Sequence, residues 1–548
     1  MEDRRAASPA ELRALRRHLS SRDTLVLRRA VRAAGRLERP ELAERLFPLL
    51  AHPIAGVRAE AAQAVAQAAQ GFQGDSAGKR RPRAWEGMLA ALEARVSLEQ
   101  DPSVRGMLAL SLGRLPYAAA GEIIQARRWL LALAEGTEAE GLVQVARGME
   151  TLLRLTSREP REPLPEGFLS RWRLWVRADR VDPRIRRSAL GGLLAAQAAD
   201  ARTLAEAMSG SDPQLRRLAV SGSLRLGEAR ERLLAEALGD TAAIVRYEAL
   251  GAWARVAGPA ACAGVRDAVH DRVPMLSLLA LDLLGTVCAG DSLAVRILEE
   301  TLGESRGSWH AAAHALVSLA RLAPSRGAAE LPRAASAPVW QQRMYAARAA
   351  GVLRDTGMLR HLALDSVANV REAALVALHE LVRHAGDSLY RAALGATDYQ
   401  LVLTATKALA GSPGREQAAA ALLRALDRIT REVKETSRDP RIAILVRLRE
   451  LGDPELSPRL LPYLRDFDPV VADSAAVLLT AWTGRVQRAA PRPLAPLSIS
   501  LREIERLRGK RLRFTMASGE VFDVALLVDE APLTVLRVVR LAARGYYD

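Results

Sequence analysis

The sequence predicts an all-α chain built as a superhelical solenoid of stacked helix pairs, followed by a short β-containing segment. Three observations predict it. A unit with helical apolar spacing returns about every thirty residues, the period expected of a repeat array. Hydrophobic residues make up 49% of the 548, yet aromatics only 4%, and the apolar content is mostly Ala and Leu. Such a composition packs helices through small side chains better than it fills a β-rich core. The chain is also long enough for many units, and each unit can bury its apolar face only against its neighbours.

The unit is clearest over residues 211–257. Asp212-Pro213 opens one helix, and Asp240 opens the next equivalent one. An Asp side chain accepts from the free N–H groups of a first turn, and Pro213 fits the first helical position. Behind these caps Leu215, Leu218, Ala219 and Leu224 recur at helical spacing, as do Val245, Ala249, Leu250, Trp253 and Val256. Arg216 and Arg246 take the same place in each unit. The pattern Asp-Pro-x-[Val/Ile/Leu]-Arg followed by small apolar residues resembles the HEAT-repeat family. That resemblance implies an α-α superhelix acting as a scaffold for partners.

In chain order, the first unit spans 23–37 with Arg28 in the repeat position, and the next starts at His52 with Arg58. Residues 71–83, rich in Gly and basic side chains, read as an exposed insertion. Asp101-Pro102-Ser103-Val104-Arg105 opens another unit. Prolines 160, 163 and 165 interrupt the stack over 157–168. Units resume at Asp182 with Arg186, then at Asp212, Asp240 and Asp271. Residues 303–308 and 324–338 read as loops around degenerate units that contain Trp309 and Trp340. Val370-Arg371 restores the pattern, and Asp398, Asp439-Pro440 and Asp468-Pro469 open the last three units. The solenoid is expected over residues 1–488, with a Pro-rich linker at 489–500.

Residues 500–507 read as a short helix, 510–516 and 520–528 as strands about a Ser518-Gly519 turn, and 533–543 as a final helix. Residues 518–548 resemble the opening of a cyclophilin-type peptidyl-prolyl isomerase. The match lies in Ala531-Pro532-Leu533-Thr534-Val535 and, at family spacing, in Leu541 followed by Gly545-Tyr546-Tyr547-Asp548, with Gly519 at the hairpin turn. Arg537-Val538 departs from the family, which usually has Asn-Phe there.

The resemblance implies isomerisation of X–Pro bonds in proline-containing polypeptide clients, without cofactor or metal. The family's catalytic arginine and its substrate groove follow the equivalent of Asp548, so no catalytic residue is expected in this chain. Two strands and one helix cannot close a barrel; they leave an open edge and an uncovered apolar face. The expectation is therefore a C-terminally truncated fragment of a parent joining a HEAT array to a cyclophilin domain, as in bacterial proteins of that type. The alternative is a non-enzymatic interaction scaffold, and a third reading is a HEAT-type DNA-binding protein or DNA glycosylase.

The formal charge of +16 is almost all arginine, with lysine only at 79, 407, 434 and 510. A basic chain attracts nucleic acid or anionic surfaces. Here, however, the tightest basic cluster is Lys79-Arg80-Arg81-Pro82-Arg83 in one loop, and no basic run is interleaved with aromatics. A nucleic-acid partner is not expected. Cys262 and Cys288, too few for a disulfide framework, are expected to be two small buried hydrophobes rather than a bonded pair.

His310 and His314 have the spacing of a metal pair but lack a third ligand nearby, so a packed pair is expected. His379 and His384 do not share a helical face. Trp172 and Trp175, among Arg171, Arg173 and Arg177, are expected to pack inward rather than form a stacking surface. Gly191-Gly192 lies within a repeat helix, without the context of a phosphate loop. No apolar run has transmembrane length. A soluble, monomeric, cytoplasmic chain is expected, or a periplasmic one if a leader precedes Met1.

Overall fold

In the computed structural model the described residues are 9–75, 83–135, 137, 139–156, 164–227, 229–304, 309–495 and 498–547. The basic cluster at 79–82, most of the proline loop, residues 305–308 and Asp548 lie outside them. The chain divides into two compact units, Met1–Gly327 and Ala328–Asp548. Each is HEAT-like in its helical part: antiparallel helix pairs stacked so that equivalent helices pack side by side.

In the first unit one layer runs through Thr24–Arg36, Ala55–Ala68, Pro102–Leu112, Ala139–Thr156, Pro183–Ala195, Pro213–Ser223, Ala243–Ala257, Pro274–Val287 and Trp309–Leu322. In the second unit it runs through Trp340–Leu353, Ala368–Val382, Tyr399–Ala408, Arg438–Leu451 and Pro469–Thr483. The intervening helices, such as Ala201–Met208 and Arg415–Arg431, form the other layer. The apolar side chains at helical spacing fill the space between layers: Leu215, Ala219, Val245 and Ala249 are fully buried.

Helix starts follow the Asp rule where an Asp stands immediately before the first turn. Asp23, Asp101, Asp182, Asp212 and Asp468 each accept a first-turn N–H, as in Asp23 Oδ1 from Leu25 at 2.8 Å. Small residues then let helices touch. A Cβ on Gly148 would sit 2.2 Å from the Ala109 carbonyl oxygen, and one on Gly113 would sit 2.1 Å from that of Gly148. Gly192 is needed because the Trp172 ring occupies the space of a side chain, 1.5 Å from a built Cβ.

Three expectations change. Residues 324–338 are mostly the helix Pro324–Ala335, which buries Leu331 and Ala335. Pro324 occupies the start, where its missing N–H costs nothing, and the buried face offsets the interior bond lost at Pro332. Cys262 and Cys288 are joined, with sulfurs 2.10 Å apart and Cα atoms 5.1 Å apart. The antiparallel pair brings the start of Cys262–Ala268 beside the end of Pro274–Val287, a proximity that spacing alone does not reveal. The Pro-rich linker is held to the last repeat, since Ala490 N donates to Leu464 O at 2.8 Å and Arg492 N to Asp466 O at 3.0 Å.

The C-terminal segment consists of the helix Leu501–Leu507, strands β1 (Arg511–Thr515) and β2 (Val521–Ala525), and the helix Pro532–Ala542. The strands form an antiparallel hairpin in the register Arg513↔Asp523. Its turn is closed by Gly519 at φ +86, a conformation that favours glycine.

Candidate functional site

The repeat arginines build a ladder. Arg58, Arg216, Arg246, Arg343 and Arg371 each donate Nη1 to the carbonyls five and six residues earlier, closing the turn of their own unit. The rest of the guanidinium reaches into the next unit. Arg216 grips Asp240 at 2.6 and 2.8 Å, Arg246 grips Asp271 at 3.0 Å through both nitrogens, and Arg343 grips Asp365 at 2.6 and 3.0 Å. Arg58 holds Glu99 in the same way. Each such acid stands six residues before the next unit's arginine position.

This corrects the equivalence of Asp212 and Asp240. Asp240 stands six residues before Arg246 and receives the preceding unit's Arg216, whereas Asp212, Asp101 and Asp182 stand four before theirs and cap a helix; Asp212 also receives Arg187 of the preceding unit at 2.5 and 2.8 Å. Both spacings place an Asp ahead of an aliphatic–Arg pair, so one pattern covered two roles. Arg343 and Arg441 belong to the ladder although neither stands at the arginine place of the Asp-Pro pattern; Asp365, six residues before Arg371, is the signal for the first, whereas Asp466 has Ala472 six residues on and gives no such signal for the second. Arg441 meets Asp466 through Nη1 at 2.8 and 2.7 Å, with both side chains at most 1% exposed.

Two arginines of the pattern end differently. Arg105 donates to Thr137 Oγ1 at 2.8 Å where an acid would stand, and to the carbonyls of Glu99 and Glu135. Arg186, buried, pairs with Asp179 at 2.7 Å and with the Val176 carbonyl. The bonds from Arg216, Arg246 and Arg343 hold the carboxyls of Asp240, Asp271 and Asp365 below the ordinary carboxylate range, against burial that pushes them up. Carboxylates so paired are mortar between repeats. None is poised to move a proton.

The C-terminal motif positions fall on one small substructure. Val528, Val535 and Leu536 are buried, while Ala531 and Pro532 are half-buried at the start of the last helix and Thr534 faces solvent. Gly545 takes φ +68 to end that helix, and Tyr546 N returns to Leu541 O at 3.1 Å. Tyr546 and Tyr547 are exposed, and Tyr547 meets Phe514 edge-on.

Leu512, Phe514, Phe522 and Val524 share one face of the hairpin, and the two Phe rings stack 5.1 Å apart. Phe522 is 49% exposed and β2 is exposed along its whole length. The apolar face of the hairpin is thus covered only in part, with Leu512 and Phe514 half-buried and Phe522 and Val524 exposed, and neither outer edge pairs with another strand among the described residues.

His314 Nδ1 lies 2.7 Å from Asp282 Oδ1, and the His310 ring stacks on Trp309. His384 Nδ1 lies 3.2 Å from Asp387, while burial and the neighbouring Arg383 hold the His379 imidazole below its ordinary range. No group of three metal-ligating side chains occurs among the described residues. Trp172 and Trp175 are buried. No described helix is long and apolar enough to cross a membrane.

No family model and no curated protein matches the chain. Among solved structures it is similar to Kap95p, whose binding induces the switch loops of RanGDP to adopt the GTP-bound conformation. That similarity is 12% identity over 87% of this chain and 72% of that one, with TM-score 0.45. It is also similar to a Kap121p mutant (11% identity, 86% and 60% covered, TM-score 0.46) and to an engineered protein (17% identity, 73% and 98% covered, TM-score 0.32).

Proposed function

We propose that the helical array is a binding scaffold for polypeptide partners. In the same reading, the C-terminal segment is the opening of a cyclophilin-type prolyl isomerase module. The observation that carries the second part is the apolar hairpin face of Leu512, Phe514, Phe522 and Val524, left exposed at Phe522 and Val524, together with a helix that has the motif residues in order. An isolated two-stranded hairpin is at best marginally stable in water, and a barrel is the arrangement that covers both its face and its edges. For the scaffold, Ile244, Tyr247 and Met275 leave 42, 40 and 67% of their surface exposed near the starts of two adjacent helices of one layer. Apolar surface of that kind is offered to a partner rather than to water.

X–Pro isomerisation needs a donor aimed at the twisted amide and an apolar seat for the ring, and no nucleophile. Residues 501–547 supply neither, so the chain binds clients without isomerising them. A protease-coupled assay on an Ala-Pro peptide should therefore show only the uncatalysed rate. Photo-crosslinking of the full chain to a reduced, unfolded proline-containing polypeptide should give adducts, and Ile244→Asp with Met275→Asp should deplete them. Isomerase activity in this chain would overturn the assignment of its C-terminal segment. Adducts untouched by the double substitution would overturn the surface.

A further inference from the structure

We propose that Cys262 and Cys288 form a reversible thiol–disulfide site. Cys262 is the sulfur that exchanges with a low-molecular-weight disulfide, and Cys288 is the thiol that resolves the exchange. The bridge ties the first residue of Cys262–Ala268 to the residue that ends Pro274–Val287. Around it, each sulfur has an acceptor suited to an S–H proton. Cys262 Sγ lies 3.4 Å from Asp291 Oδ2, and Cys288 Sγ lies 3.8 Å from the Cys262 carbonyl oxygen. Once the bridge opens, each thiol has one of these acceptors within reach for its proton. Two thiol sulfurs cannot stay at bonding distance, so opening the bridge parts the two helix ends it ties.

Exposure assigns the roles. Cys262 is 9% exposed and Cys288 is 1%. In the forward direction the Cys262 thiolate attacks a sulfur of the external disulfide, forming a mixed disulfide and releasing one thiol. Cys288 then gives up its proton and attacks Cys262 Sγ; the internal bond forms and the second external thiol leaves. Two protein thiols are oxidised and one external disulfide is reduced to two thiols, so electrons and protons balance.

The readout is built into Asp291. Its carboxylate pairs with Arg266 and its Oδ1 accepts from Ala294 N at 2.9 Å, capping Ser292–Glu304. Opening the bridge gives that same carboxylate an S–H donor and frees the loop the bridge had closed. The oxidation state of one repeat is thereby coupled to the start of the next.

The test uses the full chain in buffers of graded reduced-to-oxidised glutathione, quenched by alkylation and weighed intact. The expected result is interconversion of dithiol and disulfide across the series without denaturant. In oxidised glutathione Cys288→Ser should accumulate a glutathione adduct at Cys262, and Cys262→Ser should accumulate little. On reduction, amide exchange in residues 292–304 should rise about tenfold while residues 24–68 stay unchanged. A bridge that stays closed at every poise, equal adducts on the two single variants, or exchange in 292–304 that ignores reduction would each overturn the proposal. Serine replaces sulfur with an isosteric hydroxyl, and circular dichroism of the variants confirms that the helices persist.

Discussion

Replacing Asp466 by Asn removes one charge from a pair that water does not reach. Arg441 and Asp466 are 0 and 1% exposed, and Asp466 Oδ1 also accepts from Asp468 N at 2.7 Å. The amide keeps the shape but leaves the guanidinium buried over the Phe467 ring without a counter-charge. Breaking such a pair on one side costs about 3–5 kcal/mol. The double change Arg441→Met with Asp466→Leu removes both charges and should cost much less, or nothing, because the desolvation of each ion disappears with it.

Repeat arrays unfold locally, so the assay is hydrogen exchange over residues 438–492 rather than a single global midpoint. A loss of about 3 kcal/mol raises exchange through local opening by about 150-fold. The Asn variant exchanging within about threefold of the parent would refute the reasoning. So would a double variant less stable than the single one, because the buried charge would then not be the source of the cost.

Acid should loosen the ladder in a defined window. Asp240, Asp271 and Asp365 have folded carboxyls below their unfolded value. Their contribution is fully present above the ordinary Asp value of about 3.9 and is lost as pH falls through the depressed folded values. Thermal stability should be flat down to about pH 5 and then fall, and Asp240→Asn, less stable at neutral pH, should fall less steeply. Gly148→Ala drives a methyl into a carbonyl oxygen that belongs to the facing backbone, so the helices Pro102–Leu112 and Ala139–Thr156 must separate. A loss of about 1–3 kcal/mol in urea unfolding is expected, and a neutral result would show that the two backbones have room to give.

The helical array was legible because apolar periodicity and the aliphatic–Arg pair repeat, and both report directly on which face each helix buries. The two roles of aspartate were not separated, since a cap four residues before Arg216 and a rung six before Arg246 look alike until the register between neighbours is known. Residues 324–338 read as a loop in the sequence, although a proline at a helix start and one near its end are both compatible with a buried apolar face. The bridge between Cys262 and Cys288 depends on antiparallel packing of two helices, a distance that local pattern does not encode. At the C-terminus the hairpin and its Gly519 turn were foreseeable from strand alternation, whereas the packing of Tyr547 on Phe514, which covers part of the apolar face, was not. The backbone bonds that hold residues 490 and 492 to the last repeat leave no trace in side-chain type.

Where the ladder lacks a rung, the array has a mechanical weak point. Arg371 closes its own turn, yet the next unit has Ala396 six residues before Val402, where an acid would complete the pair. The junction between Ala368–Val382 and Tyr399–Ala408 is bridged instead by neutral donors, Gln400 and Thr404, onto Glu372. Under tension an array of linked springs yields first at its softest link. A chain pulled from its ends should therefore part between these two helices before it parts at Arg343–Asp365 or Arg441–Asp466. Installing a carboxylate at Ala396 should move the first rupture elsewhere.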